Sequence, residues 1–215
     1  MQTPDPSEVR DLKKRLCQRR SRQTERQIVA AASDLFATKG YSSVTMQDIA
    51  DAARIGKATL YYHTPSKEDL GLLVVDAHLD RFIEQAGELA SADLSAADRL
   101  RSLVSALMGW LAAGRELVEF IMPERGNPPP KTMRRLKRFR SEYLDVLEAI
   151  VRDGVAAGEF RRDVDPDVAV RAVLGMILHF HILTIRFQEA YKIDDVRDQI
   201  ADLALGGLLV RSEPR

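Results

Sequence analysis

Residues 45–67 read TMQDIADAARIGKATLYYHTPSK, and the breaks within them decide the fold. Thr45, with Asp48 three residues later, predicts a capping box at the start of a short helix. Ile49 and Ala50 give that helix its apolar side, and Ala53-Arg54-Ile55-Gly56 interrupts it. Lys57 to His63 then predicts a second short helix, which Thr64-Pro65 ends because a proline drives the residue before it out of the helical region. Two short helices joined by a tight turn make a helix-turn-helix, whose second helix can enter a DNA major groove.

Upstream, a helix is expected from about Thr24 to Lys39. Thr24 and Gln27 read as its capping box, and Ile28, Ala31, Ala32, Leu35 and Phe36 recur at helical spacing. Gly40 reads as its C-terminal stop, and Tyr41 as a packing residue between helices. Thr24 to Lys67 resembles the DNA-binding domain of the tetracycline-repressor (TetR) family of bacterial regulators, with its signature at Leu60-Tyr61-Tyr62-His63.

That resemblance, carried over where the residues match, implies the roles. Thr45 offers its hydroxyl and backbone N–H groups to a phosphate. Lys57 and Thr59 meet base edges at the start of the recognition helix, and Tyr61 lies against a thymine methyl. Tyr62 and His63 resemble the family's backbone-contacting pair, and Lys67 holds another phosphate. Leu60 and Ile49 point inward. Three positions depart from the family pattern. Arg54 stands where the turn usually has glycine, and it would cost roughly 1 kcal/mol if φ is positive there. Gly56 replaces a capping serine, a loss of a few tenths of a kcal/mol. Thr64 replaces an aromatic, which removes an expected plug between two helices.

The formal charge of the 215-residue chain is zero, but residues 1–63 hold 11 Lys/Arg against 7 Asp/Glu, leaving 21 against 25 for the remainder. A basic front and an acidic rear fit a DNA reader joined to something that does not touch DNA. Residues 1–22 become basic toward Arg19, Arg20 and Arg22. They read either as a solvated, partly disordered tail or as an arm that follows phosphates or reaches a minor groove. One cysteine, Cys17, excludes an internal disulfide and a cysteine-rich metal site. The N-terminus carries no signal-peptide pattern. The longest apolar run, 173–185, is too short to span a bilayer. The expectation is a cytoplasmic protein with no membrane partner.

Beyond Thr64, apart from a rigid loop expected at Pro123 and Gly126-Asn127-Pro128-Pro129-Pro130, the chain reads as helices. Ser66 and Asp69 open one with two apolar sides, as for a helix buried on two sides. Others are expected at Ser95–Ala113, Glu116–Met122, Lys131–Gly158, from Asp165-Pro166 to about Phe187, and at Ile193–Val210. Of the last two, the first is apolar almost all round, and the final one carries Ile193, Val196, Ile200, Leu203 and Gly207 down one face and adds Ala201, Ala204 and Gly206. They either fill the monomer core or pair with a second copy, and a monomer has too little surface to bury both faces of both, so a homodimer is expected.

The resemblance also implies a C-terminal bundle enclosing a small hydrophobic effector. Trp110, Phe120, Met122, Tyr143, Met176, His179 and Phe180 are the candidate lining residues, each with an ordinary core reading beside it. Met108, Met133 and His181 belong to the same group. His179 and His181, two apart on a helix, diverge too far to chelate one metal. The basic run Lys131, Arg134, Arg135, Lys137, Arg138, Arg140 reads as a solvated helix face or as a phosphate-binding surface. Residues 158–176, GEFRRDVDPDVAVRAVLGM, are similar to C-terminal domains of TetR regulators of fatty-acid or steroid catabolism, some of which respond to acyl-CoA thioesters.

The expected fold is therefore all-α. It comprises a basic arm (1–22), a three-helix helix-turn-helix domain (23–67) and a bundle for ligand binding and dimerisation (68–215). The expected function is a ligand-responsive regulator, a repressor released from a palindromic double-stranded DNA operator by its effector, with no cofactor and no metal. The competing classes are a helical enzyme and a protein-binding adaptor. The enzyme lacks a glycine-rich phosphate loop, metal-ligand spacing and a nucleophile elbow.

Overall fold

The computed structural model describes the backbone of residues 6–113, 130–186 and 193–210, with side chains described for 18–113, 130–181 and 196–210. Eight helices occupy these residues: α1 Pro6–Lys39, α2 Met46–Ala52, α3 Lys57–His63, α4 Lys67–Ala90, α5 Ala96–Ala113, α6 Pro130–Ala157, α7 Pro166–Arg186 and α8 Ile193–Leu208. Among the described residues there is no strand, only an isolated antiparallel bridge between Phe160 and Leu209. The all-α expectation holds. The expected helix at Glu116–Met122 lies outside the described residues.

One boundary needs correction. Helix α1 does not begin at Thr24 but at Pro6, a residue type suited to the first helical position. No glycine or proline separates Pro6 from Lys39, and Arg, Lys, Leu, Glu and Gln dominate the stretch, so nothing stops the helix propagating. Thr24 sits mid-helix, and its hydroxyl donates to the Arg20 carbonyl at 3.0 Å. The Thr-x-x-Gln pattern was thus an internal back-bonded threonine and not a cap. Gly40, by contrast, ends α1 with φ +77° as expected.

The described residues divide into two compact units within α4, the first ending at Ala77 and the second starting at His78. The first buries Ile28, Ala32 and Phe36 of α1 with Ile49, Ala50 and Leu60 of α2 and α3, and with Leu70 and Val74 of α4. In the second, α5 packs against α6, α7 and α8. Its core joins Phe82, Leu100, Leu103, Leu107, Tyr143, Leu147 and Ile200.

The connection after α6 ties this unit together. Gly158, at φ +76°, takes the left-handed cap position. The Glu159 N–H then donates to the Gly154 carbonyl at 2.9 Å, and the Gly158 N–H to Val155 at 3.2 Å, a Schellman closure. The Glu159 carboxylate accepts from the Ala96 and Ala97 N–H groups, both at 3.1 Å, so it caps α5 from some sixty residues away. Phe160 is fully buried against Gly154, where a methyl group would overlap its ring and stand 2.9 Å from the Ala96 Cβ. The Arg161 N–H takes the Leu208 carbonyl at the end of α8 at 2.9 Å.

Candidate functional site

Helix α3 is seven residues long, and Leu60 is its only buried side chain. It cannot be held by burial along its length, so its position depends on the turn before it and the stop after it. The turn is a second Schellman closure, with the Ile55 N–H on the Ala50 carbonyl at 3.0 Å and the Arg54 N–H on Asp51 at 3.1 Å. Arg54 occupies the glycine position of that motif at φ 55°, the strain the sequence foreshadows. At the stop, the Thr64 N–H donates to Leu60 at 2.8 Å. Thr64 is itself 1 % exposed, and its hydroxyl returns to the Leu60 carbonyl at 3.2 Å. The position expected to lack an aromatic plug is therefore a buried, hydrogen-bonded one.

With Leu60 as the anchor, Lys57, Thr59, Tyr61 and Tyr62 are exposed and His63 is half-buried. Tyr62 is 84 % exposed, far more than packing would leave an aromatic ring. Its ring meets His63 edge-on at 5.5 Å, and the Lys57 ammonium lies 6.0 Å from the Tyr61 ring. Arg22 is exposed on α1, in a row with Arg19 and Arg26.

Two expected phosphate ligands already have partners. The Thr45 N–H and hydroxyl both donate to Asp48 Oδ2, at 2.8 and 2.6 Å, while the Asp48 N–H donates to the Thr45 hydroxyl at 3.2 Å. The capping box is present in full, and these hydrogen bonds hold the Asp48 carboxyl below the usual carboxylate range. The first-turn N–H groups of Met46 and Gln47 have no acceptor within the helix, as helix geometry requires. Lys67 donates to the Ser42 carbonyl at 3.2 Å and sits 4.6 Å over the Tyr41 ring. Burial lowers its pKa. Tyr41 packs edge-on against Phe36 at 5.1 Å, in the expected structural role.

In the second unit, Trp110 and Tyr143 join one aromatic cluster. Trp110 stacks on Phe139 at 5.6 Å, Phe139 on Tyr143 at 6.3 Å, and Phe82 contacts all three. Tyr143 is 1 % exposed, with its hydroxyl 3.5 Å from the Leu103 carbonyl, and burial pushes its pKa up. On one side of this cluster, a cavity of about 500 Å3 opens between α4, α5 and α8. Phe82 and Trp110 form its aromatic wall, and His78, Arg81 and Gln85 of α4 line it together with Arg197 of α8. His78 is half-buried, and burial followed by the neighbouring Arg81 charge lowers its pKa.

Two family models cover most of this architecture: residues 28–72 match the bacterial regulatory proteins of the tetR family, and residues 93–182 match the tetracyclin repressor-like C-terminal domain. The chain belongs to the TetR family. Among its relatives is the fatty acid metabolism regulator protein of Bacillus subtilis, 22% identical over 182 residues, which are 85% of this chain and 94% of that protein. The transcriptional repressor KstR2 of Rhodococcus jostii is 28% identical over 151 residues, 70% of this chain and 73% of its own. The structure of FadR from Bacillus subtilis in complex with stearoyl-CoA shares the fold, with TM-score 0.68 and 22% identity, covering 84% of this chain and 97% of that one. Like the rest of its family, this chain is a DNA-binding transcriptional regulator and not an enzyme.

Met176, His179 and Phe180 are not among the residues that line the α4–α5–α8 cavity. Met176 lines a groove of about 390 Å3 between α7 and α8, beside Val168, Leu203 and Gly207. His179 is exposed on α7, Phe180 is half-buried against the core, and His181 is 7 % exposed. Phe120 and Met122 lie outside the described residues. The sequence reading missed His78 as a lining group, together with Arg81, Gln85 and Arg197, and it missed Phe139 as a member of the ring cluster. A trace was there in α4, where positions 78, 81, 82 and 85 share one face and place polar groups on either side of Phe82. The α6 basic run is partly occupied: Arg135 pairs with Asp80 and Glu142, and Arg138 with Glu142 at 2.8 Å. Among the described residues no group of three His, Cys, Asp or Glu could hold a metal ion, and no helix is long and apolar enough to cross a membrane.

Proposed function

We propose that this regulator acts as a cytoplasmic homodimer that represses from a palindromic operator and is released by a small hydrophobic effector of the acyl-CoA thioester class. The observation that carries the DNA half is the exposure of Lys57, Thr59, Tyr61 and Tyr62 on a helix anchored by Leu60 alone. In this reading Lys57 and Thr59 meet base edges and Tyr61 a thymine methyl. Tyr62, His63, Lys67, Arg22 and the α2 N-terminus beginning at Thr45 hold phosphates. The operator reader is residues 23–67, preceded by a basic segment over 1–22, and the effector and pairing surfaces belong to 68–215.

Pairing is supported by a face of α7 and α8 that the chain leaves bare. Val168 and Leu203 are 62 % and 68 % exposed, next to Ala172, Gly206 and Gly207, whose small side chains allow close helix approach. A second copy related by a two-fold axis would cover this face and present two α3 helices to the two halves of a palindrome. The acyl-CoA class is supported by the fatty acid regulator among the relatives, by the FadR complex with stearoyl-CoA, and by the aromatic cluster at Trp110. The effector acts by favouring an α4 position that mismatches the two readers, with a coupling of about 1–3 kcal/mol.

Footprinting on the DNA upstream of the protein's own gene tests this directly. The expected result is protection of two dyad-related half-sites that palmitoyl-CoA abolishes. Protection of a single half-site, or protection indifferent to palmitoyl-CoA, would overturn the corresponding part. Leu203→Glu should give a monomer in sedimentation velocity, with operator affinity lowered at least ten-fold.

A further inference from the structure

We propose that the cavity between α4, α5 and α8 is an anion site that takes the phosphate-bearing end of the effector, held between Arg81 and Arg197. This rests on the thioester reading above and adds where its charged end is recognised.

The chemistry of the cavity selects for negative charge. Two guanidinium groups reach it from different helices, an imidazole lies beside them, and Gln85 and Ser105 add neutral donors. Among the described residues that line it there is no carboxylate. Guanidinium forks suit phosphate oxygens in particular, because two parallel N–H donors match the anion's geometry. Burial, and after it the Arg81 charge, lowers the His78 pKa, so the cavity holds cationic and imidazole groups close together.

The basic run on α6 is the obvious alternative, and its geometry is poorer. Arg135 and Arg138 are matched by the carboxylates of Asp80 and Glu142, while Lys131, Arg134, Lys137 and Arg140 are exposed. An exposed cation row beside carboxylates is screened by solvent and salt. The α4–α5–α8 cavity instead combines its cations with an aromatic wall. At about 500 Å3 it suits a compact head group and not a whole long-chain thioester.

The site also sits where regulation needs it. Its α4 residues begin at His78, the first residue of the second unit, on a helix that starts at Lys67 in the first. An anion bridging Arg81 and Arg197 clamps α4 to α8, so occupancy bears on the helix shared by both units.

The test uses the full chain with palmitoyl-CoA, palmitate and pyrophosphate as separate probes in isothermal titration. Arg81→Gln and Arg197→Gln are compared with Arg134→Gln on α6, and melting curves verify that each variant folds. The expected result is a palmitoyl-CoA affinity at least ten-fold weaker in Arg81→Gln and Arg197→Gln, unchanged in Arg134→Gln, with pyrophosphate following the same order. Equal binding of palmitoyl-CoA and pyrophosphate by wild type and both cavity variants would overturn the anion site, as would a loss confined to Arg134→Gln. If wild type binds pyrophosphate through the two arginines but ignores palmitoyl-CoA, the thioester reading fails and the anion site stands. If it binds neither, both fail.

Discussion

Tyr61 and Tyr62 of the first compact unit and Tyr143 of the second have opposite fates. Tyr61 and Tyr62 stand in the open on α3, the latter 84 % exposed, while Tyr143 on α6 is 1 % exposed within a cluster of four rings. Chemistry does not separate them, since all three carry the same ring and hydroxyl. Context does. Helix α3 has a single inward position, Leu60, so its other side chains have nothing to pack against. Helix α6 has a buried stripe through Tyr143, Leu144, Leu147, Ile150 and Val151, and any large ring on that stripe is drawn into the core. An aromatic ring left exposed on a short helix with one inward anchor adds little to stability, and the use proposed for it is DNA contact.

This contrast makes substitutions in the two units separable, and the largest effect should fall in the core. Tyr143→Ala is expected to cost about 3–5 kcal/mol of stability, read by denaturant unfolding, because it empties a closed aromatic cluster. Next is Gly154→Ala, whose methyl must displace the Phe160 ring; overpacking of this kind costs about 1–3 kcal/mol, visible as a lowered Tm. Tyr61→Ala should do the reverse of Tyr143→Ala: operator affinity falls by about 1–3 kcal/mol while the melting curve stays in place. A matching loss of stability in Tyr61→Ala would dissolve the contrast. The smallest effect belongs to Arg54→Gly, which should stabilise the protein by about 1 kcal/mol by removing a side chain from a left-handed position, measured as a raised denaturant midpoint.

What was legible in the sequence was short-range. The Thr45–Asp48 box, the Ser66 cap with its 3.0 Å bond from the Asp69 N–H, and the Asp165 cap of α7 each lie within three residues. The one local signal that misled, Thr24 with Gln27, did so because the same two residue types also occur inside a helix, and only the unbroken run back to Pro6 distinguishes the cases. Long-range features were not readable. Nothing near Glu159 announces that it caps α5, and nothing near Arg197 announces that it shares a cavity with Arg81. Such groupings depend on how helices pack, which periodicity alone does not encode. The candidate site divides the same way: the reading helix is a contiguous motif, while the candidate ligand side joins α4 and α5 to α8, far along the chain.

The central claim is that α3 is a DNA probe and not a packing element. Fluorescence anisotropy of a labelled upstream DNA duplex, titrated with wild type and with the Lys57→Ala/Tyr61→Ala double variant, tests it most directly. The expected result is an operator affinity at least a hundred-fold weaker for the variant, with unchanged melting temperature and unchanged oligomeric state. Equal affinity of the two proteins for that duplex would contradict it.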